Sequence, residues 1–258
     1  MDKFIKVARE AAINAGNYIR GKISTAKVVK QKSSVIDIVT DADIGAQKLI
    51  IDFIKKNFPK HKFLAEEQEE DRDISGSYVW AIDPIDGTSA YAAGLSTYSS
   101  SIALLYNKKP IVGAIYQAIT DDVVWAGQGL GAFCDKNRLS VSSVKNLKEA
   151  TIGFDPNYNN REKDMSKIAL PLSDKVRILP MIWSQASALA LVACGVLDGY
   201  IQGGSPKVWD VAAGKLIVEE AGGKITDFND RQIDIFALDG YVAGSNSAVN
   251  LLLPFTKT

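Results

Sequence analysis

The sequence predicts a fold of the α/β or α+β class with layered sheets. Segments with apolar residues at helical spacing alternate along the chain with short apolar segments that end in turn residues. Of the 258 residues, 47% are hydrophobic, which is enough for a large core. We expect two closely packed lobes, residues 1–150 and 151–258. The polar segment 155–164 indicates a domain boundary or an exposed loop.

Two amphipathic helices and several strands account for the first lobe. An apolar stripe predicts a helix over residues 2–22, and a second helix runs from Ile44 and ends before Pro59. The segment between them, residues 27–37, suits a loop or a short hairpin. Apolar runs with flanking turns predict strands at residues 63–65, 78–82, 99–105, 111–116 and 123–126.

The second lobe begins with small apolar residues at helical spacing. Helices are predicted at residues 186–196 and 211–221, and two glycines close the second of these helices. Short strands follow at residues 224–226 and 240–243. The glycine-rich segment 127–131 in the first lobe lacks the spacing of a dinucleotide-binding loop, and it predicts a hairpin turn instead.

The composition excludes several classes of function. Thirty basic residues balance thirty acidic ones, so nothing in the net charge favours nucleic acid or a membrane as partner. Two cysteines, Cys134 and Cys194, indicate reduced thiols in a cytoplasm. Charges interrupt residues 1–20 too often for a signal peptide. The single histidine, His61, lies in a polar turn and is expected to be solvated, which leaves catalysis to carboxylates, hydroxyls and lysines.

Residues 83–89 (DPIDGTS) directly follow a predicted apolar strand. Two carboxylates, Asp83 and Asp86, precede glycine and hydroxyl residues, which open helices and turn their backbone N–H groups outward. Pro84 stiffens the turn. Such a junction aims two carboxylates at one point beside an anion site, which is half of a metal-assisted phosphoryl-transfer site. The N-cap of an ordinary helix is the alternative.

Two further acids stand at the ends of predicted elements. Asp210 begins a helix of small residues, and Glu66 follows an apolar strand and starts an acidic stretch, residues 66–73. A helix N-cap and a solvated acidic face are the alternatives, and we adopt the second for residues 69–73. If these two acids converge with Asp83 and Asp86, their charges repel by roughly a few kcal/mol per close pair. A divalent cation bound between the acids makes their interaction energy favourable. Hard oxygen ligands select Mg²⁺ or Mn²⁺ over zinc.

The motifs at residues 83–89 and 209–223 resemble those of the inositol monophosphatase family, within the lithium-sensitive, metal-dependent phosphatase superfamily. Smaller elements precede them in the family's order, at residues 32–34, 39–43 and 65–67. The resemblance implies a layered αβαβα sandwich, as in inositol monophosphatase and fructose-1,6-bisphosphatase, and a homodimer. It also implies a lithium-sensitive, Mg²⁺-dependent phosphomonoesterase, with Mn²⁺ as a possible substitute.

The resemblance also assigns roles to individual residues. Thr88, supported by Asp43, matches the pair that orients the attacking water. The metal ligands implied are the carboxylates of Glu66, Asp83, Asp86 and Asp210 and the carbonyl of Ile85. The substrate-binding residues expected are Gly87, Thr88, Ser89, Ser184, Gln185, Gln202 and Lys207, with the amides of Gly87 and Thr88 on the phosphate.

The sequence departs from the family pattern at positions where the family binds its substrate. Residues 89–91 (SAY) and 183–186 (WSQA) differ from the usual runs, and Gln202 stands where inositol-specific members carry a glutamate. The Gln202 side chain can donate as well as accept a hydrogen bond, so it tolerates a second phosphate on the substrate. Lys207 could bind that phosphate. We therefore expect a phosphatase of small polyol or sugar phosphates such as inositol 1-phosphate, with fructose 1,6-bisphosphate plausible.

Three alternatives stay open. The first is an adenosine 3′,5′-bisphosphate nucleotidase of the same superfamily, ranked lower because residues 89–91 lack its usual lysine and acid. The second is a haloacid-dehalogenase-type phosphatase, whose Asp-x-Asp-x-Thr/Val motif Asp41 and Asp43 nearly complete, except that position 45 is Gly45. The third is a non-catalytic regulator with the same fold. It is disfavoured because, in a site without activity, mutually repelling acids would only destabilise the protein.

Overall fold

The largest sheet in the described residues has seven strands. The computed structural model describes residues 1–31, 38–67 and 76–257. The strand order in this sheet is β3-β4-β5-β6-β7-β8-β9, and every neighbouring pair is antiparallel except β3 and β4. The strands are β3 (Lys62–Ala65), β4 (Tyr78–Asp86), β5 (Ser99–Tyr106), β6 (Lys109–Gln117), β7 (Asp122–Gly127), β8 (Gly131–Cys134) and β9 (Asn137–Arg138).

Helices cover both faces of this sheet. On one face lie α1 (Asp2–Lys22) and α2 (Asp41–Asn57), whose apolar stripes pack against β4 to β7. On the other face lie α6 (Gln185–Ala193) and α7 (Val208–Glu220). A Cβ added at Gly113 on β6 would lie 2.8 Å from the Ala213 carbonyl oxygen. Small residues on both elements therefore let α7 approach the sheet closely.

A second, four-stranded sheet packs on the far side of α6 and α7. Its order is β10-β11-β13-β12, and its outer face is covered by the C-terminal helix α8 (Asn246–Leu252) and by the apolar side chains around it. Its strands are β10 (Ile152–Asp155), β11 (Gly199–Gln202), β12 (Lys224–Thr226) and β13 (Tyr241–Gly244). Helices, sheet, helices, sheet and helix follow one another, which confirms the predicted αβαβα layering.

Shorter elements complete the described part of the chain. The strands β1 (Val28–Gln31) and β2 (Ile38–Thr40) pair antiparallel, in agreement with the predicted hairpin. The predicted loop at 32–34 and the acidic stretch beyond residue 67 lie outside the described residues. The division of the chain near residue 150 stays a prediction. The short helices are α3 (Thr88–Ala92), α4 (Arg161–Asp164) and α5 (Leu170–Ser173), with a π-helical turn, Met165–Ala169, between the last two.

The prediction of a solvated His61 is wrong. Its ring is half-buried and stacks on Phe58, with centroids 4.6 Å apart, and on Tyr78 at 4.9 Å. The indole Nε1–H of the fully buried Trp80 donates a hydrogen bond to His61 Nδ1 over 3.0 Å. The charged neighbours in the sequence conceal this environment, because the aromatic rings come from α1, the end of α2 and β4.

None of the helices in the described residues is both long enough and apolar enough to span a lipid bilayer.

Candidate active site

A break in the strand pairing places two carboxylates at the end of β4. Pairing with β5 is regular up to Asp83, opposite Ser101, and resumes at Asp86, opposite Ser99, with a shift in register. Side chains three positions apart on a regular strand point to opposite faces. Pro84 cannot donate to the ladder, and the irregularity here lets Asp83 and Asp86 line the same cavity.

Asp86 is held by donors that come from a distant part of the chain. Its Oδ2 accepts hydrogen bonds from Ser184 Oγ and from the backbone N–H of Ala186, both over 2.6 Å, and from Ser99 Oγ over 3.3 Å. Burial raises the pKa of Asp86 to about 6, although these hydrogen bonds lower it. All three donors meet the same oxygen, so the start of α6 fixes the orientation of this carboxylate.

Glu66 and Asp210 approach the end of β4 from two sides. The backbone N–H of Glu66 donates to Ile82 O on the parallel neighbour strand over 3.2 Å, so Glu66 stands beside Asp83. Asp210 lies in the first turn of α7, where its Oδ2 accepts a 2.8 Å hydrogen bond from the backbone N–H of Lys207. Ser101 Oγ donates to Trp209 O over 3.1 Å and ties this helix start to β5.

Burial and four neighbouring acids all raise the pKa of Asp83. Burial raises it well above its usual range, and the charges of Glu66, Asp86, Asp210 and Asp43 raise it further. Its Oδ1 is buried and has no hydrogen-bond donor among the residues that the structure describes. Within those same residues, no group of three or more Asp, Glu, His or Cys side chains already has the geometry to hold a metal ion.

An orphaned buried carboxylate oxygen is costly unless a cation or a donor meets it. Several acids line this cavity together with Ile85, whose backbone carbonyl is a further oxygen at the end of β4. Such a set of hard oxygens fits a divalent cation of the Mg²⁺ type. The residues present therefore fit the metal that the sequence resemblance implies.

The hydroxyl of Thr88 contacts a second buried carboxylate. Thr88 Oγ1 lies 3.0 Å from Asp43 Oδ1 and 2.9 Å from Ile85 O, so one hydroxyl proton has two acceptors. Asp43 also caps α2, because its Oδ2 accepts the backbone N–H of Thr40 over 2.7 Å. Burial raises the pKa of Asp43 to about 6 against the lowering effect of these hydrogen bonds.

Gly87 connects β4 to the short helix α3 and has a left-handed backbone, with φ of 90°. A Cβ at this position would lie 2.9 Å from Trp183 O and 3.0 Å from Thr97 O. Both the conformation and the close approach of these carbonyls require glycine. The turn thereby brings Thr88 and Ser89 to the cavity wall beside the acids.

One cavity of about 460 Å³ brings most of the predicted site residues together. Two of the predicted residues do not line it: Asp43 lies behind Thr88, and Ser184 lies behind Asp86. The predicted residues in its wall are Glu66, Asp83, Ile85, Asp86, Gly87, Thr88, Ser89, Gln185, Gln202, Lys207 and Asp210.

Asp155 is a cavity residue outside the predicted site. Residues 155–164 are predicted to be a boundary or an exposed loop, but in the structure Asp155 ends β10, is 3% exposed and lines the cavity. An acid directly after an apolar run is the pattern that identified Glu66 and Asp83, and it was available here too. Tyr158 and Asn159, also outside the prediction, line the cavity mouth, where the Tyr158 ring stacks on Trp183 at 5.4 Å.

Comparison with known proteins agrees with this geometry. The sequence profile of the inositol monophosphatase family matches residues 1–254. The chain belongs to the inositol monophosphatase family. Inositol monophosphatase 2 of Solanum lycopersicum is 37% identical over 246 residues, 92% of each chain. The Nus factor SuhB of Xylella fastidiosa is 34% identical over 231 residues, 87% of this chain and 82% of that protein.

A solved structure is similar along the whole length. The crystal structure of the extragenic suppressor protein SuhB of Bartonella henselae has a TM-score of 0.91, is 31% identical, and covers 99% of this chain and 98% of its own. As a member of the inositol monophosphatase family, the chain is a phosphoric monoester hydrolase that acts on small phosphorylated substrates.

Proposed function

We propose that this phosphatase uses Mg²⁺ to hydrolyse phosphate monoesters of small polyols and sugars, with Mn²⁺ as a possible substitute. The observation that carries the proposal is Asp83 Oδ1, a buried oxygen without a hydrogen-bond donor in the described residues, surrounded by further acids. We assign the cation to the carboxylates of Glu66, Asp83, Asp86 and Asp210 and to the carbonyl of Ile85. Because Ser184, Ala186 and Ser99 donate to Asp86 Oδ2, its Oδ1 is the oxygen we assign to the cation.

When bound, the cation supplies a Lewis acid that makes water nucleophilic at neutral pH and neutralises charge on the leaving oxygen. The protein's own groups orient that water. Asp43 Oδ1 accepts the Thr88 hydroxyl proton, which turns the lone pairs of Thr88 Oγ1 toward the cavity. Thr88 Oγ1 then accepts a hydrogen bond from the attacking water. This hydrogen bond directs a lone pair of the water oxygen at the phosphorus.

The phosphate and the rest of the substrate occupy the wall of the cavity. We assign the backbone N–H groups of Gly87 and Thr88 to the phosphate, with Ser89 beside them. Gln185 and Gln202 face the hydroxyl groups of the polyol or sugar, and Ser184 supports that wall through Asp86. Lys207 lies at the cavity rim, where it suits a second phosphate and makes fructose 1,6-bisphosphate a candidate.

A phosphate-release screen with Mg²⁺ tests this proposal. The substrates are inositol 1-phosphate, fructose 1,6-bisphosphate and adenosine 3′,5′-bisphosphate, and the Asp210→Asn variant serves as the inactive control. We expect release from inositol 1-phosphate and from sugar phosphates. Activity on adenosine 3′,5′-bisphosphate alone would replace the proposed substrate class with the nucleotidase alternative, and no release from any ester would contradict the function.

We further propose how the enzyme is inhibited, how it assembles and where it is located. We expect inhibition by Li⁺ that depends on the Mg²⁺ concentration, because both ions would compete for one position. We also expect a homodimer, as the family resemblance implies, and no nucleic-acid partner. Two free cysteines, Cys134 and Cys194, support a cytoplasmic location.

A further inference from the structure

The carboxylate of Asp155 is buried in the cavity wall and all its partners come from other elements. Its Oδ1 accepts hydrogen bonds from the backbone N–H groups of Ile182 and Trp183, both over 2.9 Å. Its Oδ2 accepts the hydroxyl proton of the fully buried Tyr200 over 2.8 Å. Three donors on one buried carboxylate form a fixed support, because hydrogen bonds to a charged acceptor are stronger than those between neutral groups.

The turn that Asp155 supports has an unfavourable backbone. Trp183 has φ of 59°, in the left-handed region that a large side chain rarely adopts. Such a conformation persists only where the surroundings hold it. The two N–H groups bound by Asp155 belong to this residue and to the one before it, so the carboxylate holds the turn on its entry side.

The exit side of the same turn reaches Asp86. Ser184 Oγ and the backbone N–H of Ala186 both donate to Asp86 Oδ2 over 2.6 Å. Ser184 also caps α6, because its Oγ accepts the backbone N–H of Ser187 over 3.3 Å. Asp155 and Asp86 are therefore connected through one short segment, residues 182–186.

The second arm of Asp155 leads to the substrate wall. Tyr200 Oη lies 2.8 Å from Asp155 Oδ2 and 2.5 Å from Gln202 Oε1. Asp155 and Gln202 are direct neighbours in the parallel pairing of β10 and β11. The tyrosine hydroxyl thus connects the carboxylate to the side chain that we assign to the substrate hydroxyls.

We propose that Asp155 is a positioning residue of the phosphatase site. Its carboxylate holds the turn at Trp183, and this turn orients the two donors that fix Asp86; through Tyr200 it also orients Gln202. Groups that orient a metal ligand without touching the metal typically change metal affinity or activity by about 10–100-fold when removed. The inference rests on the proposed role of Asp86 as a metal ligand.

Substitutions at two positions separate the two arms. Asp155→Ala removes the support of the turn. Asp155→Asn retains it, because the amide oxygen still accepts both backbone N–H groups and the amide nitrogen can donate to Tyr200 Oη, whose proton then turns to Gln202. Tyr200→Phe keeps both hydrogen bonds that Asp155 accepts from the backbone of the turn, and it removes the hydroxyl that contacts Asp155 Oδ2 and Gln202 Oε1.

The experiment measures Mn²⁺ binding by calorimetry and the kinetics of phosphate release for the full-length proteins. Asp155→Ala is expected to weaken Mn²⁺ binding and to lower kcat by about tenfold or more. Asp155→Asn is expected to remain within about threefold of wild type in both. Tyr200→Phe is expected to bind Mn²⁺ normally and to show a raised KM, which a role in folding alone would not produce.

A folded Asp155→Ala protein with wild-type Mn²⁺ affinity and kcat would overturn the inference. If near-ultraviolet circular dichroism shows that this variant does not fold, Ser184→Ala decides the matter: it leaves Asp155 in place and removes one donor to Asp86. Unchanged Mn²⁺ affinity in Ser184→Ala then overturns the inference. Absence of Mn²⁺ binding to the wild type would instead contradict the proposed function.

Discussion

Thr88 Oγ1 lies 3.0 Å from Asp43 Oδ1, although the two residues are 45 positions apart in the chain. Thr88 opens a short helix after β4, and Asp43 stands in the first turn of α2. A hydroxyl that gives its proton to a buried carboxylate presents its lone pairs on the other side. In the proposed function, this contact is the one that orients the attacking water.

Thr88→Ala should lower kcat by on the order of 10²–10⁴, the usual range for a group that positions a proton transfer. The Mg²⁺ concentration that gives half-maximal activity should change little, because the hydroxyl is not assigned to the cation. Thr88→Ser is the matched control and should retain most of kcat. Steady-state phosphate release against Mg²⁺ measures both quantities. A Thr88→Ala protein as active as wild type would assign the orientation of water to another group.

Asp86→Asn should make the protein more stable when EDTA is present and should abolish its activity. The pKa of Asp86 in the folded protein, about 6, lies above the usual value of 3.8, so stability is lost as pH rises through this window. Asparagine at position 86 does not ionise, so it causes no loss of stability in this pH range. Its amide oxygen can still accept the hydrogen bonds from Ser184 and Ala186.

The stability gain of Asp86→Asn should therefore be absent below pH 4, grow as the pH rises and level off above about pH 6, at roughly 2–3 kcal/mol. Thermal unfolding in EDTA between pH 4 and pH 8 measures it against wild type. Equal stability of the two proteins at pH 7.5 would show that Asp86 carries no electrostatic cost in the folded state.

Asp83, Asp86 and Glu66 show how much of the site the sequence predicts. The pattern places Glu66 and Asp83 after apolar segments and aims Asp83 and Asp86 at one point. The convergence of all these acids is only a condition at that stage, and the family resemblance supplies the ligand set. The pairing of Thr88 with Asp43 comes from family resemblance. The αβαβα order of layers also comes from the family resemblance, because the local helical and strand periodicities predict only the elements and a layered α/β or α+β class.

The burial of Asp155 and of His61 depends on partner groups that a local sequence pattern does not show. Asp155 looks polar in sequence, but backbone N–H groups near residue 183 satisfy its carboxylate and allow its burial. His61 looks solvated between two lysines, but its ring packs among aromatic residues from three elements. In both cases the partner groups are distant in sequence, and only the packed fold brings them together.

Lys207→Ala should raise KM several-fold for fructose 1,6-bisphosphate and leave KM for inositol 1-phosphate nearly unchanged. The hydrogen bond to Asp210 comes from the Lys207 backbone, so the substitution leaves that carboxylate in place. The exposed Lys148, which does not line the cavity, supplies the control variant Lys148→Ala. Equal losses on both substrates would show that Lys207 does not bind a second phosphate.

His61 should make the stability of the fold depend on pH. Trp80 donates to His61 Nδ1, so the ring must be unprotonated there, and burial lowers its pKa below 6.5. The contribution to stability is complete above pH 6.5 and is lost as pH falls through the lower pKa of the folded protein. His61→Asn retains an acceptor but does not titrate, and should remove this part of the pH dependence.

Because His61 is the only histidine in the chain, NMR of its ring reports the titration directly. We expect a midpoint below 6.5 in the folded protein. A midpoint at or above 6.5 would mean that the hydrogen bond from Trp80 does not favour the neutral ring.

The most direct test of the carboxylate cluster is Mg²⁺-dependent phosphate release after removal of metal. Wild-type protein and Asp83→Asn are treated with EDTA, exchanged into metal-free buffer and titrated with Mg²⁺ in the presence of inositol 1-phosphate. We predict no activity before Mg²⁺ is added, saturable recovery in the wild type, and no recovery in Asp83→Asn, because the substitution removes charge from the shared cluster. Full wild-type activity in EDTA, or equal recovery of the variant, would contradict the account.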